Sequence, residues 1–152
     1  AFVRDGRDEP RRDIDLVTFV GQLLALRMNP EDWQLHSPSV LPVSVRPSLL
    51  RRAIGNLMDN AERYGAAPFR IDLGTDADAV QISVADHGPG VAPELLEQLG
   101  RPFVRGDQAR GGIGTGLGLS IVMRAAELHG GAVRWRNAAD GGFIASMRLP
   151  AA

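Results

Sequence analysis

Residues 112–119 read Gly112-Ile113-Gly114-Thr115-Gly116-Leu117-Gly118-Leu119 and run straight into Leu119-Ser-Ile-Val-Met-Arg-Ala-Ala-Glu-Leu128, whose apolar spacing is that of a helix. Glycine loses more backbone freedom on folding than any other residue, so four at alternate positions are expensive. The residues between them are Ile, Thr and Leu rather than the Ser or Asn of a flexible linker. What the chain gains is room and donors. The first N–H groups of a helix are unpaired and its dipole is positive at that end, so the run is suited to receive an anion. It is neither of the two familiar phosphate loops: the spacing Gly-x-Gly-x-x-Gly after a strand is missing, and so is Gly-Lys-Ser/Thr.

Working outward, residues 1–12 are charged, contain Gly6 and Pro10, and read as a linker or the end of a preceding element. Asp13 is placed to cap a helix from Ile14 to about Met28, with Leu16, Val17, Val20, Leu23, Leu24 and Leu26 at helical spacing and Asn29-Pro30 as its stop. Between Trp33 and Pro47 lie prolines and short β-prone pieces, read as one or two short edge strands. Pro47 opens a second helix that Gly65 ends. Alternation in Phe69–Leu73 and Val80–Val84 around Gly74-Thr-Asp-Ala-Asp predicts a hairpin. A Gly/Pro-rich stretch to Ala92 and a short helix over Pro93–Leu99 lead into a long glycine-dense loop from Gly100 to about Gly116, of a length that is usually functional. The last helix stops near His129 at Gly130-Gly131, and Ala132–Arg136 with Phe143–Leu149 form a final hairpin around Asp140-Gly-Gly.

Composition sets outer limits. The 152 residues are 44% hydrophobic and 23% charged, as in one ordered globular domain. A net charge of -1, from 17 basic and 18 acidic residues, offers no field for nucleic acid. Absence of cysteine excludes disulfides, thiolate metal sites and a Cys nucleophile, and fits a reducing cytoplasm. No apolar run approaches the ~18 residues of a membrane span, so direct membrane contact is not expected. The chain opens at Ala1 rather than Met, which is read as a piece cut from a larger protein.

Within the second helix, Leu50, Ile54, Leu57, Met58 and Ala61 fall on one side, and Asn56, Asn60 and Arg63 share a wedge of roughly 60° on the other. A stripe of this kind is either a solvated face or a site. Asn is a poor helix former, and surface filler is more often Glu, Lys or Gln, so two Asn at i, i+4 favour a site. An amide oxygen suits Mg²⁺, and an Arg one turn on can neutralise a phosphate oxygen.

Asp86 stands where the strand Val80–Val84 hands over to Ala85-Asp86-His87-Gly88-Pro89-Gly90-Val91. It either makes a local Asx-turn or accepts a hydrogen bond from an exocyclic amine such as adenine N6, an edge where guanine would present O6 and be repelled. Gly88 and Gly90 would let the backbone approach a flat base. His36, His87 and His129 are isolated, with no partner at catalytic or metal-ligand spacing, and His87 is more simply a surface or packing residue.

The order of these signals is more specific than any one of them. Asn56-x-x-x-Asn60-Ala-x-Arg63-Tyr64, then Asp86-x-Gly88-x-Gly90, then Pro102-Phe103-x-Arg105, then Gly114-Thr-Gly116-Leu-Gly118-Leu resemble the N, G1, F and G2 boxes of sensor histidine kinases. Residues 13–150 are similar to their catalytic ATP-binding domain, of the wider superfamily with gyrase, Hsp90 and MutL. Arg101–Arg110 resembles the osmosensor, EnvZ-like subfamily.

That resemblance implies an α/β sandwich with a mixed sheet and about three helices on one face, and ATP (or ADP) with Mg²⁺ between helix and lid. Asn60 would coordinate Mg²⁺ with Asn56 assisting. Arg63 and Tyr64 would contact phosphates and nucleotide, and Asp86 would bind adenine N6 beside Gly88, Gly90 and Val91. Gly100–Thr115 would be the lid, with Phe103 at its base and Arg105 or Arg110 reaching for phosphate. Gly114, Thr115, Gly116, Leu117, Gly118 and Leu119 would hold the phosphates.

Two departures stand out. Many superfamily ATPases carry a Glu four residues before the first Asn, where this chain has Arg52, and none of its histidines lies in a phosphoacceptor box such as Ser-His-Glu-Leu-Arg-Thr-Pro. The expectation is therefore a catalytic domain with little turnover alone. It would serve a histidine on a separate dimerisation domain, whose tail Ala1–Gly6 resembles, and pass phosphate to a response regulator receiver domain. The parent protein is expected in the bacterial inner membrane with this domain in the cytoplasm. Two alternatives stay open: a gyrase/Hsp90/MutL-type ATPase, and a non-catalytic nucleotide-sensing or protein-interaction module.

Overall fold

The computed structural model describes residues 8–76, 78–96 and 116–150. Its first turn of chain shows how local polar groups set boundaries. Strand β1 (Arg12–Asp15) pairs antiparallel with β3 (Pro42–Val45), placing Asp13 opposite Ser44. Helix α1 (Leu16–Ala25) therefore starts later than Asp13 would start it. Asp15 is the cap: its backbone is extended, and its carboxylate accepts from the N–H groups of Val17 and Thr18, each at 3.3 Å, and of Leu41 at 2.7 Å. Asp13, already committed to the β ribbon, is not free for that role. The helix also stops short of Met28. N–H groups of Leu26 and Arg27 close tighter bonds on Leu23 O and Leu24 O, and Arg27 turns to Asp59 and Glu62 of the next helix.

Helix α2 (Pro47–Tyr64) begins with proline, where a missing N–H does no harm, and its capping residue Arg46 offers no side-chain acceptor. Glu9 supplies one from 39 residues away, accepting from Ser48 N–H at 2.8 Å and from Leu49 N–H at 3.1 Å. Burial works against the ionised Glu9, but those donors outweigh it and hold its carboxyl below the usual range. Leu50, Ile54 and Met58 are wholly buried on the apolar face of α2, each contributing about 1.5–3 kcal/mol. Glu62, on another side of the helix, accepts from Arg27 and from Trp33 Nε1 at 2.8 Å, pinning the chain after α1 to α2.

Five strands form the main sheet in the order β2-β4-β5-β7-β6: β2 (Trp33–His36), β4 (Phe69–Asp76), β5 (Ala79–Ala85), β6 (Ala132–Asn137) and β7 (Phe143–Pro150). Only β2 with β4 is parallel, so the sheet is mixed. Pairing in the β4–β5 hairpin runs out to Asp76 opposite Ala79, so the strands take up most of the segment expected as a turn. Of the one or two short edge strands expected between Trp33 and Pro47, two form, in different sheets.

One face of the sheet presents Ile71, Leu73, Val80, Ile82, Val84, Ala145, Met147 and Leu149, all buried. Against it lie α1, α2 and the last helix α4 (Gly116–Leu128), with Leu16, Val20, Leu119, Val122 and Ala125 in the same core. The opposite face carries Arg70, Asp72 and Arg148, with Ser83 and Ser146 sharing a hydrogen bond at 2.8 Å. This is the two-layer α/β sandwich expected. A short α3 (Pro93–Leu96) is the last element before residues 97–115, so the rest of the helix expected to Leu99 lies outside the described residues.

Candidate functional site

The cleft forms where the C-terminal half of α2 passes over the ends of β5 and β7. From α2 come Leu57, Asn60, Ala61 and Tyr64, at i, i+3, i+4 and i+7, one continuous stripe. Facing them are Val84, Asp86, Gly90, Leu119, Phe143 and Ala145. An apolar floor with few polar groups on its rim is what a flat heterocycle requires.

Asp86 is 6% exposed, one of two buried polar residues among the described ones. Burial pushes its carboxyl above the ordinary aspartate value, opposed by backbone hydrogen bonding from Gly88 and Phe143 and by the neighbouring His87. Its Oδ1 accepts from Gly88 N–H at 2.7 Å, so the local Asx-turn does form. That turn leaves acceptor capacity on the same carboxylate, and Asp86 lines the cleft, so the turn and the binding role coexist.

Asn60 also lines the cleft, and its Nδ2 is buried with no hydrogen-bond partner among the described residues. An orphaned amide costs free energy unless a ligand satisfies it. Asn56 lies one turn earlier on the same helix, partly buried. Arg63 is exposed, its guanidinium 5.9 Å from the centre of the Tyr64 ring. No group of three or more His, Cys, Asp or Glu among the described residues could hold a metal. The donor set that exists is neutral amide oxygen, which fits a Mg²⁺ ion that arrives on a phosphate chain and keeps most of its ligands there.

Gly116, Leu117 and Gly118 fall in the first turn of α4, and Leu119 is 1% exposed at the cleft. Val91 is 6% exposed in the core behind Gly90. Phe103, Arg105, Arg110, Gly114 and Thr115 lie outside the described residues. His87 is exposed, and its Nδ1–H donates to Pro68 O at 2.7 Å, in keeping with a surface role.

Four contributors were not singled out from sequence as site residues. Phe143 and Ala145 face the cleft from β7, and alternation along that strand was the signal available for them. Gly65, expected only as a helix end, lies against Asp86: a Cβ there would stand 2.5 and 2.6 Å from the two carboxylate oxygens. Asn137, at the end of β6, binds both backbone polar groups of Val91.

Residues 45–152 match the family described as histidine kinase-, DNA gyrase B-, and HSP90-like ATPase. The sensor histidine kinase CpxA of Escherichia coli (strain K12) is 37% identical over 133 residues, which cover 86% of this chain and 27% of that protein. The chain thus spans about a quarter of the length of the curated relatives it matches. The histidine kinase domain of the E. coli osmosensor EnvZ, solved by NMR, is similar with a TM-score of 0.74 and 35% identity, over 97% of this chain and 92% of that one. Full-length ShkA in complex with AMPPNP is similar with a TM-score of 0.75 and 28% identity, over 92% of this chain and 31% of that one. No helix among the described residues is long and apolar enough to cross a membrane.

Proposed function

The chain belongs to the histidine kinase-, DNA gyrase B-, and HSP90-like ATPase family, and from that premise we propose that it positions ATP·Mg²⁺ for phosphorylation of a histidine on a separate dimerisation domain. It is an ATP-binding domain of the kind found in sensor histidine kinases. In the full protein, residues 1–12 would link it to the preceding helix and residues 13–150 would form the catalytic domain. A response regulator would receive the phosphoryl group, and the parent would sit in the bacterial inner membrane with this domain on the cytoplasmic side.

The observation that carries this reading is the buried Asp86 facing Asn60 across an apolar cleft. Asp86 accepts from adenine N6 and disfavours guanine, whose O6 would meet a carboxylate. Asn60, with Asn56 assisting, contributes amide oxygen to Mg²⁺, and Arg63 and Tyr64 contact phosphates and nucleotide. Gly88 and Gly90 admit the base; Gly114, Thr115, Gly116, Leu117, Gly118 and Leu119 hold the phosphates at the helix start, with Arg105 or Arg110 of the lid reaching for phosphate and Phe103 packing at the lid's base. ATP brings the transferable γ-phosphoryl group, and Mg²⁺ neutralises its charge. What this chain does is bind and orient.

Its own histidines do not serve as acceptors in this scheme. His129 is 2% exposed with both ring nitrogens bonded, and His87 is held by Pro68 O. Arg52, exposed on α2, takes the place of a water-activating Glu, so slow hydrolysis is expected. Calorimetry with ATP and Mg²⁺ on wild type and Asp86→Ala tests the site, and equal affinities would overturn it. Phosphate transfer from γ-labelled ATP to a separately produced phosphoacceptor domain tests the reaction.

A further inference from the structure

Asp86 begins the loop that borders the cleft and Val91 ends it, and both ends are fastened to one rung of the β6–β7 hairpin. That rung is Asn137 opposite Phe143. On the β7 side, Phe143 O accepts from Asp86 N–H at 3.1 Å. On the β6 side the main chain makes no such bond to the loop; the Asn137 side chain does instead. Its Oδ1 accepts from Val91 N–H at 2.9 Å, and its Nδ2 donates to Val91 O at 2.7 Å. One amide thereby pairs both polar groups of a residue as a neighbouring strand would. An N–H that can only donate and a carbonyl that can only accept leave this amide a single orientation.

The same amide dictates the shape of the cleft wall. Gly90 has φ +78°, and a Cβ on it would stand 2.8 Å from Asn137 Oδ1. The backbone of Gly90 is thus laid on the Asn137 side chain while facing the cleft beside Asp86. We propose that Asn137 is the positioning residue for the base-side wall, holding Gly88–Val91 at the distance from Asp86 that admits adenine. The inference rests on the assignment of Asp86 to the base, and it extends that assignment to a residue in a different segment. Among the described residues the Asn137 side chain bonds to Val91 alone, so its effect is expected on recognition of the base.

The test compares wild type, Asn137→Ala and Asp86→Ala in calorimetry with ATP·Mg²⁺ and with inorganic triphosphate·Mg²⁺, alongside amide exchange at Val91. In Asn137→Ala, Val91 exchange is expected to speed up and ATP affinity to fall by about tenfold, while triphosphate affinity stays within about twofold. Wild-type ATP affinity in Asn137→Ala, together with a large loss in Asp86→Ala, would overturn the role of Asn137 and leave the site assignment standing. Equal losses of ATP and triphosphate, or unchanged Val91 exchange, would also overturn it. Wild-type ATP affinity in Asp86→Ala would remove the assignment itself and this inference with it. Should Asn137→Ala fail to fold, Asn137→Asp is read by the same criteria, since it keeps the acceptor for Val91 N–H but sets a carboxylate oxygen against Val91 O.

Discussion

Gly65 closes α2 directly against the carboxylate of Asp86, with no space for a Cβ between them. Its φ is -101°, which any residue adopts, so contact rather than backbone conformation calls for glycine here. A Cβ on Gly88 would in turn stand 2.6 Å from Gly65 Cα, so helix end, acid and loop form one close stack. In Gly65→Ala the methyl must displace Asp86 or the helix end. The expected result is a fall in ATP affinity of at least tenfold with the fold retained in circular dichroism. An alanine variant binding ATP as wild type would show that the stack does not set the acid's position.

Asp86 carries a stability cost that its function requires. Burial raises its pKa in the folded protein, so folding is favoured when the group is protonated. That advantage is complete below the unfolded value near 3.9 and disappears as pH rises through the folded value, leaving the ionised acid unfavourable at neutral pH. Asp86→Asn removes the charge and keeps an oxygen for Gly88 N–H. At pH 7.5 it should raise Tm by roughly 2–4 °C and weaken ATP, with the gain in Tm shrinking toward acid. Thermal scans across pH check this, and a gain independent of pH would contradict it.

Periodicity made the amide stripe legible. A 3.6-residue repeat separates Asn56 and Asn60 from the buried Leu50, Ile54 and Met58 whatever the rest of the fold does. Asp86 was legible because a strand with clean alternation ends just before it. Contacts across the chain were not. Val91 and Asn137 are 46 residues apart, and nothing local distinguishes this Asn from any other at a turn. Asp13 and Asp15 are equally good caps by composition; pairing of β1 with β3 decides between them by committing Asp13 to the ribbon and bringing Leu41 N–H to Asp15. Parallel pairing of β2 with β4 likewise joins segments separated by the whole of α2.

Glu9 ties the stretch before β1 to the helix that bears the amides. Its carboxylate occupies the acceptor position that Arg46 leaves empty, and it also lies at the positive end of the α2 dipole. Because its folded pKa is lowered, the stabilisation is present above the ordinary carboxylate range and is lost as pH falls through the folded value. Glu9→Ala should cost about 1 kcal/mol in urea unfolding at pH 7, and Glu9→Gln less, since its amide oxygen still accepts. Equal stability of all three proteins would mean that water caps α2 just as well.

His129 fastens the far end of α4 to the start of α2, and the bond works only for the neutral ring. Nε2 accepts from Arg46 N–H at 2.9 Å, which places the proton on Nδ1, where it is donated to Ala125 O at 2.7 Å. Protonation would set Nε2–H against the Arg46 N–H and add a cation near Arg11 and Arg46, against which Glu9 pulls the other way. Burial first, then those two arginines, hold the pKa below its usual value, against the pull of Ala125 and Glu9. A depressed histidine stabilises fully above the unfolded value near 6.5 and loses that contribution as pH falls through the folded value. Wild type should therefore lose stability below pH 6.5, by at most about 1.4 kcal/mol per pH unit from this group. His129→Gln keeps an acceptor and a donor without titrating. It should be less stable at pH 7.5 by about 1–2 kcal/mol, and the gap to wild type should narrow by pH 5. Urea midpoints that stay parallel from pH 7.5 to 5 would show that His129 is equally protonated in folded and unfolded chains, and would remove the clamp.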